Sequence, residues 1–297
     1  MHAEYVLTLS CPDQRGIVAS VATCLADVGA NILEAQQYGD PSTGLFFMRV
    51  RVAADGLGID GEPRQGQQAP VPSYDELRAA IGEVATRFGM EWALHDLAMR
   101  PRLLVLVSRF GHCLNDLLFR QRVGALAGDI CAVASNHQDF RELVESNAIP
   151  FHHLPVTPET KPEQEAAILK LATEHEVDLV VLARYMQVLS PELTTELEGR
   201  AINIHHSFLP SFKGAAPYQQ AYARGVKLIG ATAHYVTARL DEGPIIEQEV
   251  ARVDHTLGPK QLAAVGRDLE CVALARAVQW HLEHRVLLNG SKTIVFR

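Results

Sequence analysis

In the first part of the chain, the spacing of apolar positions changes from the alternation typical of a strand to the spacing typical of a helix, and then back to alternation. Residues 5–10 alternate apolar and polar side chains, which is typical of a half-buried strand. Residues 17–28 repeat apolar side chains at helical spacing, and Gly29 offers a helix stop. Residues 31–38 and 44–52 read as two further strands joined by a Pro-Ser-Thr-Gly turn. The pattern therefore predicts strand, helix, strand, strand.

A second helix and a closing strand complete this first module. Ser73 and Glu76 form a capping box at the start of a helical apolar stripe that ends at Gly89. Residues 90–94 read as the last strand, so the order βαββαβ predicts a ferredoxin-like sandwich. The stretch 55–72, rich in Gly, Pro and Gln, has little to bury and is predicted to be a flexible insert in this domain.

From residue 101 onward, apolar strands alternate with helices. Strands are predicted at residues 103–107, 130–134, 177–183, 201–205, 228–236 and 293–296, with helices at 114–126, 140–146, 162–175 and 259–288. Continuous apolar strands between helices indicate a parallel sheet covered on both faces, a Rossmann-like doubly wound α/β domain. We therefore predict two domains, residues 1–97 and residues 101–297.

Composition and charge narrow the class of protein. The chain has 297 residues, of which 47% are apolar and 21% charged, as in ordinary globular proteins. The net charge is −8 and basic runs are absent, so no nucleic-acid partner is expected. No apolar run approaches about 18 residues and no basic segment precedes an apolar one at the N-terminus, so we expect a cytoplasmic protein without a membrane partner. Five cysteines without a C-x-x-C spacing indicate neither a disulfide framework nor a zinc knuckle.

Candidate chemistry lies at the strand predicted for residues 201–205. Alternation there places Ile202 and Ile204 toward the core, and Asn203 and His205 together on the other face. An amide beside an imidazole can polarise a carbonyl and transfer a proton, although hydrogen-bonded groups in a buried turn would give the same pair. Asp241 follows in a turn just before a Gly-Pro pair, where a carboxylate can point into a cavity.

The surrounding motifs carry a family resemblance. NIHHSFLPSFKG (203–214), GATAHYV (230–236) and LDEGPII (240–246) together resemble the catalytic domain of folate-dependent formyltransferases and their hydrolytic relatives. The resemblance implies that Asn203, His205 and Asp241 form the catalytic trio. It also implies folate contacts from a segment after a buried strand and from two later residues, namely Arg184, Met186, Gln187, Val188, Leu189, His234 and Thr237.

The loop after the first strand of the second domain favours the hydrolytic branch of that family. Glycinamide-ribonucleotide formyltransferases have a Gly-rich phosphate-binding loop there, whereas this chain has Arg109-Phe110-Gly111-His112-Cys113. Its S-x-x-x-H-C-L-N-D-L-L pattern resembles the formyltetrahydrofolate deformylases, which implies hydrolysis of 10-formyltetrahydrofolate to formate and tetrahydrofolate. No cofactor beyond the folate substrate is then expected. A transferase with an amine acceptor, and a regulatory protein with a decayed catalytic domain, are the alternatives.

The sequence gives weaker support to two other kinds of active site. His112-Cys113 could be a nucleophilic pair, but adjacent residues at a helix start do not face each other. His152, His153 and Glu159 could join a histidine of the trio region in a zinc hydrolase, yet their spacing defines no ligand set. No metal is therefore expected.

The first domain resembles a regulatory module. CPDQRGIVASVATCLADVGANI (11–32) resembles ACT domains, which often bind amino acids. The resemblance implies an amino-acid effector site framed by the loop after the first strand and the start of the second, at Asp13, Gln14, Gly16, Asn31 and Ile32. The alternative is a domain that only mediates assembly. In either case we expect a homo-oligomer, a dimer or a tetramer.

Overall fold

A computed structural model describes residues 3–54, 71–209 and 217–297 of the chain. Most of the predicted insert 55–72, and motif residues 210–214, lie outside these ranges. Contacts divide the chain into two compact units. The first unit is Met1–Met99 with His284–Leu287 and Ile294–Arg297, and the second is Arg100–Glu283 with Leu288–Thr293. Sequence alone assigned everything after residue 101 to the second domain, whereas two short C-terminal segments group with the first.

The first unit has the predicted βαββαβ order. Its elements are β1 (Glu4–Pro12), α1 (Ile17–Asp27), β2 (Asn31–Asp40), β3 (Leu45–Ala53), α2 (Tyr74–Phe88) and β4 (Glu91–Asp96). The sheet order is β2-β3-β1-β4 and every pairing is antiparallel. The capping box between Ser73 and Glu76 is confirmed, and Gly89 ends α2 in the left-handed conformation. The ferredoxin-like prediction is therefore confirmed.

The C-terminal segments of the first unit are held by polar contacts to β2. Arg285 Nη1 lies 3.3 Å from the Glu34 carboxylate, which also pairs with buried Arg49. Gln36 Nε2 donates a hydrogen bond of 2.7 Å to the carbonyl of Arg297. A chain shortened to residues 1–97 would thus lose ion-pair and hydrogen-bond partners of this strand.

The second unit is built on a seven-stranded sheet. Its elements are β5 (Arg102–Val107), α3 (His112–Arg122), β6 (Asp129–Ser135), α4 (Arg141–Glu145), β7 (Phe151–His153), α5 (Lys161–Glu174), β8 (Leu179–Leu182), α6 (Pro191–Glu196), β9 (Ala201–His205), α7 (Pro217–Arg224), β10 (Leu228–Tyr235), β11 (Ile245–Arg252) and α8 (Pro259–Leu282). The sheet order is β11-β10-β9-β8-β5-β6-β7. At the end of the chain, β12 (Val286–Asn289) and β13 (Lys292–Val295) pair separately.

The predicted parallel sheet is confirmed for β5, β6, β8 and β9, whereas the predicted parallel arrangement is wrong for β10. Strands β7, β6, β5, β8 and β9 pair in parallel, whereas β10 runs antiparallel to both β9 and β11. In this antiparallel register Asn203 lies opposite His234 and His205 opposite Thr232. The reversal therefore brings the two polar motifs of the sequence side by side.

The long helix α8 ends earlier than predicted. It stops at Leu282 instead of residue 288, because the backbone turns into the left-handed region at His284 (φ 53°) and then enters β12. Strands β7 and β11 and helices α6 and α7 had no counterpart in the prediction. Within the described ranges, no helix is both long enough and apolar enough to span a membrane.

Candidate active site

A cavity of about 550 Å³ opens where β8 and β9 end. Ligands in open α/β sheets collect at the carboxyl ends of parallel strands. Asn203, His205 and Asp241 all line this cavity. So does every residue that the sequence predicted to contact folate, namely Arg184, Met186, Gln187, Val188, Leu189, His234 and Thr237. The fold thus gathers the predicted catalytic and binding residues at one place.

His205 and Asp241 form a hydrogen-bonded pair in the cavity. His205 Nδ1 lies 3.2 Å from Asp241 Oδ1, and both side chains are largely buried. Burial disfavours the Asp241 carboxylate, but the hydrogen bond from His205 outweighs it, so the pKa of Asp241 lies below its usual value. His205 Nε2 is buried with no hydrogen-bond partner among the described residues. The pair therefore presents an imidazole nitrogen that is free to engage a ligand.

Asn203 is oriented by His234. The Asn203 amide nitrogen lies 3.3 Å from His234 Nε2, and His234 Nδ1 lies 2.8 Å from the Tyr235 carbonyl. A carbonyl only accepts, so Nδ1 must carry the proton and Nε2 must accept from Asn203. Burial lowers the pKa of His234, which is consistent with this neutral form. One amide N–H of Asn203 is thus occupied, and the second can donate to a ligand oxygen.

Two side chains of the site sit on strained backbone. Arg184 and Asp241 have φ values of 63° and 56°, in the left-handed region that non-glycine residues rarely adopt. The turn after Asp241 is held tightly, since a Cβ on Gly243 would lie 1.7 Å from the Tyr235 carbonyl oxygen. Only glycine fits there, so this contact fixes the turn that carries Asp241.

Apolar side chains line the outer part of the cavity. Met186, Val188 and Phe110 are about half exposed there, although all three are large apolar residues. Leu189, in contrast, packs against the core of the unit. The Ser108 hydroxyl accepts from the backbone N–H of Met186 at 3.0 Å and so fixes the start of this wall. Exposed apolar side chains around a polar centre suit a flat heteroaromatic ligand.

A polar cluster at the cavity is centred on Glu270, which the sequence analysis did not identify. Glu270 on α8 is 1% exposed, and its carboxylate lies 2.7 Å from His112 Nε2 and 3.3 Å from Arg184 Nε. The Tyr218 hydroxyl donates to its second oxygen at 2.9 Å. Burial opposes ionisation of Glu270, but His112, Arg184 and Tyr218 together keep its pKa below the usual value. We call these four residues the Glu270 cluster.

A weak signal for this cluster exists in the sequence. Glu270 follows Leu262 and Gly266 at intervals of four on the buried face of α8. A carboxylate on an otherwise buried helix face needs a partner, which sequence alone does not name.

His206 links the trio to the Glu270 cluster. Its ring lies 4.9 Å from that of His205 and 6.4 Å from that of Tyr218. Burial, followed by the charges of Arg184 and His205, lowers the pKa of His206 to about 4. His206 is therefore neutral near pH 7.

The nucleophilic pair considered for His112 and Cys113 is not supported. His112 is engaged by Glu270, while Cys113 is 1% exposed. A hydrogen bond with Cys271, together with burial, raises the pKa of the Cys113 thiol well above its ordinary value. A buried, protonated thiol is a poor nucleophile.

One group of metal-type side chains occurs in the described parts of the chain. His112, Cys113 and Glu270 place their ligand atoms within 4.8 Å of one another. Their residue types suit zinc, but the Glu270 carboxylate already compensates the Arg184 guanidinium 3.3 Å away, which would repel a cation. His152 packs edge-on against His175 instead of joining such a group. The donor set therefore fits a structural ion-pair network better than a metal centre.

The proposed effector residues form two separate groups in the first unit. Pro12 pairs with Leu45 and Asn31 with Ala53, the two ends of β3, so the loop after β1 and the start of β2 lie at opposite ends of the sheet. Asp13 and Gln14 are exposed in the loop after β1, and Gly16 precedes α1 with φ 94°. Asn31 and Ile32 begin β2, just before a register shift. The structure thus places the five residues in the loop and strand start expected from the resemblance.

Comparison with known proteins agrees with both units. A family model for formyl transferases matches residues 101–278, and a model for ACT domains matches residues 5–58. A formyltetrahydrofolate deformylase of Corynebacterium sp. (strain P-1) is 52% identical over 294 residues, 99% of this chain and 98% of that relative.

Solved structures of deformylases and of transformylases resemble this chain to different degrees. The structure of formyltetrahydrofolate deformylase from Burkholderia mallei ATCC 23344 has a TM-score of 0.90 and 51% identity, covering 99% of this chain and 100% of that one. Glycinamide ribonucleotide transformylase 1 from Symbiobacterium toebii has a TM-score of 0.63 and 30% identity, covering 67% of this chain and 95% of that one. The deformylases match across both units, so the chain belongs to the formyltetrahydrofolate deformylase family.

Proposed function

We propose that this protein hydrolyses 10-formyltetrahydrofolate to formate and tetrahydrofolate, and that Asn203, His205 and Asp241 carry out the reaction. Membership of the deformylase family supports the activity. The observation that carries the assignment of residues is the open Nε2 of His205, held by Asp241 inside the cavity.

The chemistry requires a nucleophilic water, a site for negative charge and a proton for the leaving nitrogen. The water oxygen bonds to the formyl carbon, and the bond from that carbon to N10 breaks. One water proton ends on N10 and the other leaves with formic acid, which ionises to formate. Charge collects on the formyl oxygen in the transition state, where oriented N–H donors have their largest effect.

The geometry supports a separate role for each member of the trio. The second N–H of Asn203, whose first is occupied by His234, donates to the formyl oxygen. His205 in its protonated form stabilises the same oxygen or passes a proton toward N10. Asp241 stabilises the imidazolium through Oδ1 and orients the attacking water, taking up its proton.

Water is proposed as the acceptor because the loop after β5 does not provide the phosphate-binding turn of the transferases. A phosphate-binding acceptor site needs several converging backbone N–H groups in a Gly-rich turn. Here His112, Arg184 and Tyr218 are gathered on Glu270 instead. The apolar wall at Met186, Val188 and Phe110 is then left for the pterin, whose polar edge would pair with main-chain groups of residues 187–189.

The experiment is hydrolysis in ¹⁸O-labelled water, with and without glycinamide ribonucleotide. We expect one labelled oxygen in each formate, tetrahydrofolate in equal amount, and no diversion by the amine. Formyl transfer to the amine faster than formate release would refute hydrolysis as the main reaction. Loss of formate release in both His205→Ala and Asn203→Ala, with folate binding retained, is expected if the roles are right.

The first unit is proposed to bind an amino-acid effector, which the match to ACT domains supports. Asp13, Gln14 and Gly16 lie at the other end of the sheet from Asn31 and Ile32, so an effector bound within one chain would contact only one of these two groups. We also propose that the protein is a cytoplasmic homo-oligomer, with the first unit pairing between chains. The folate substrate needs no further cofactor in the mechanism above. Sedimentation of the purified protein tests the oligomer directly, and a monomer at micromolar concentration would contradict it.

A further inference from the structure

Arg184 is a buried cation whose hydrogen-bonding capacity is only partly used. It follows β8 at the cavity and is 9% exposed. Its Nε and Nη1 atoms have no hydrogen-bond partner among the described residues. Buried N–H donors are nearly always paired, and charged ones are the most costly to leave open. Open donors at a ligand cavity therefore point to a ligand acceptor.

Glu270 compensates the charge of Arg184 without satisfying its donors. The carboxylate lies 3.3 Å from Nε, yet the contact is not aligned as a hydrogen bond. Glu270 instead bonds His112 and Tyr218. The Phe110 ring lies 5.5 Å from the Arg184 Cζ. The guanidinium is thus fixed by charge and packing while some of its N–H groups stay available.

Arg184 and the trio line the same cavity and follow neighbouring strands. β8 and β9 pair in parallel with Leu182 opposite Asn203, and Arg184 and His205 each come two residues after this pair. The strained φ of 63° at Arg184 is a further sign that its position serves a function.

The proposed hydrolysis creates one new anion in this cavity. The formyl group is neutral in the substrate and becomes a carboxylate after water adds and the proton of formic acid is released. Arg guanidinium is the side chain best matched to a carboxylate, and charge-assisted hydrogen bonds are about twice as strong as neutral ones.

We propose that Arg184 binds the carboxylate of formate after hydrolysis, so that product leaves from an arginine site next to the trio. This rests on the proposed function. The carboxylates of the folate glutamate tail have the same chemistry, but the buried position favours the small product. Arg239, whose side chain is 85% exposed at the rim of the cavity, is better placed for a long tail.

Product inhibition by sodium formate tests the proposal, with formation of tetrahydrofolate as the readout. In Arg184→Met the inhibition constant for formate should rise about 10- to 100-fold, because a charge-assisted contact is lost. Arg184→Lys keeps the charge but not the planar fork, so an intermediate rise is expected. The control is Arg109→Met, an exposed arginine on the neighbouring loop, for which formate inhibition should change less than about twofold.

The measurements distinguish a failure of the formate-binding proposal from a failure of the proposed function. Formate release by the wild type tests the proposed function by itself. Unchanged formate inhibition in a folded Arg184→Met would overturn the proposal, and if that variant does not fold, unchanged inhibition in Arg184→Lys would overturn it. The folate tail is examined with 10-formyltetrahydropteroate, which lacks glutamate. A rise in KM confined to the glutamate-bearing substrate would assign Arg184 to the tail and refute the formate site.

Discussion

Replacing Glu270 by glutamine should destabilise the second unit strongly, although the change is nearly isosteric. Glutamine keeps an oxygen for the Tyr218 hydroxyl, which donates to Glu270 at 2.9 Å. It removes the negative charge that lies 3.3 Å from Arg184 and 2.7 Å from His112. The guanidinium then stays buried without a counter-charge.

The size of the effect follows from burial. Removing one partner of a buried ion pair costs about 3–5 kcal/mol, because the other charge is left uncompensated. Domains are stable by only about 5–15 kcal/mol, so the loss is a large fraction of the total. Glu165→Gln is the matched control, since this glutamate is also buried on a helix but accepts from the Ser190 backbone at 2.9 Å and lies 3.8 Å from a more exposed lysine. We expect about 1 kcal/mol there.

Tryptophan fluorescence can follow the second unit alone. The chain has two tryptophans, Trp92 on β4 and Trp280 on α8. In a Trp92→Phe background, urea unfolding monitored at Trp280 reports the helix that carries Glu270. The Arg184→Met change and the double variant complete a mutant cycle, in which the double variant should be more stable than the sum of the singles by about 1–3 kcal/mol.

Two results would refute this reasoning. The first is a cost for Glu270→Gln no larger than that for Glu165→Gln. The second is simple additivity of the Glu270 and Arg184 changes, which would mean that the two groups do not interact in the folded protein.

Three further predictions concern His206, the turn at Gly243 and the first unit. The folded pKa of His206, about 4, lies below the unfolded value of 6.5, so the unfolded state binds more protons between these limits and stability falls as the pH drops through this window. This contribution amounts to about 3 kcal/mol. In urea unfolding, the free energy of unfolding should therefore fall less between pH 7 and pH 4.5 for His206→Gln than for the wild type. Equal falls would argue against a buried neutral imidazole. Gly243→Ala should lower kcat about 10- to 100-fold, because the added Cβ displaces the turn that carries Asp241. Gly258→Ala is the control and should leave kcat unchanged, because a Cβ has room there. Equal kcat values for the two variants would contradict the tight turn. Calorimetry of the full chain should show that an amino acid binds. This binding should be lost in Gly16→Val, since valine is strained at φ 94°. If no amino acid binds, the first unit serves only in assembly.

Local patterns in the sequence were enough to predict most elements. Strand β9 runs over Ala201–His205 as its alternation predicted, and the capping box at Ser73 fixed the start of α2. Strand β11 was missed because Ile245–Arg252 carries several charged residues and lies at the edge of the sheet, where alternation is weak. Strand β7, with three residues, is too short for any periodic signal.

The candidate site was predictable where a motif is contiguous and not where partners are distant in sequence. Asn203, His205 and Asp241 were found because short motifs surround them. The Glu270 cluster joins residues from four separate segments of the chain, so no local sequence pattern predicts it. The left-handed backbone at Arg184 and Asp241 was also invisible, because neither residue type signals a positive φ.

The most direct test of the account is the single-turnover rate of formate release by Asp241→Asn. The asparagine cannot take a proton from water or stabilise the His205 imidazolium 3.2 Å away. The account predicts a rate lower by about 10²–10⁴-fold with nearly unchanged folate affinity. The control is Glu242→Gln, an exposed carboxylate next in the chain, which should keep a rate close to wild type. An Asp241→Asn protein that retains more than about a tenth of the wild-type rate would contradict the central role given to this carboxylate.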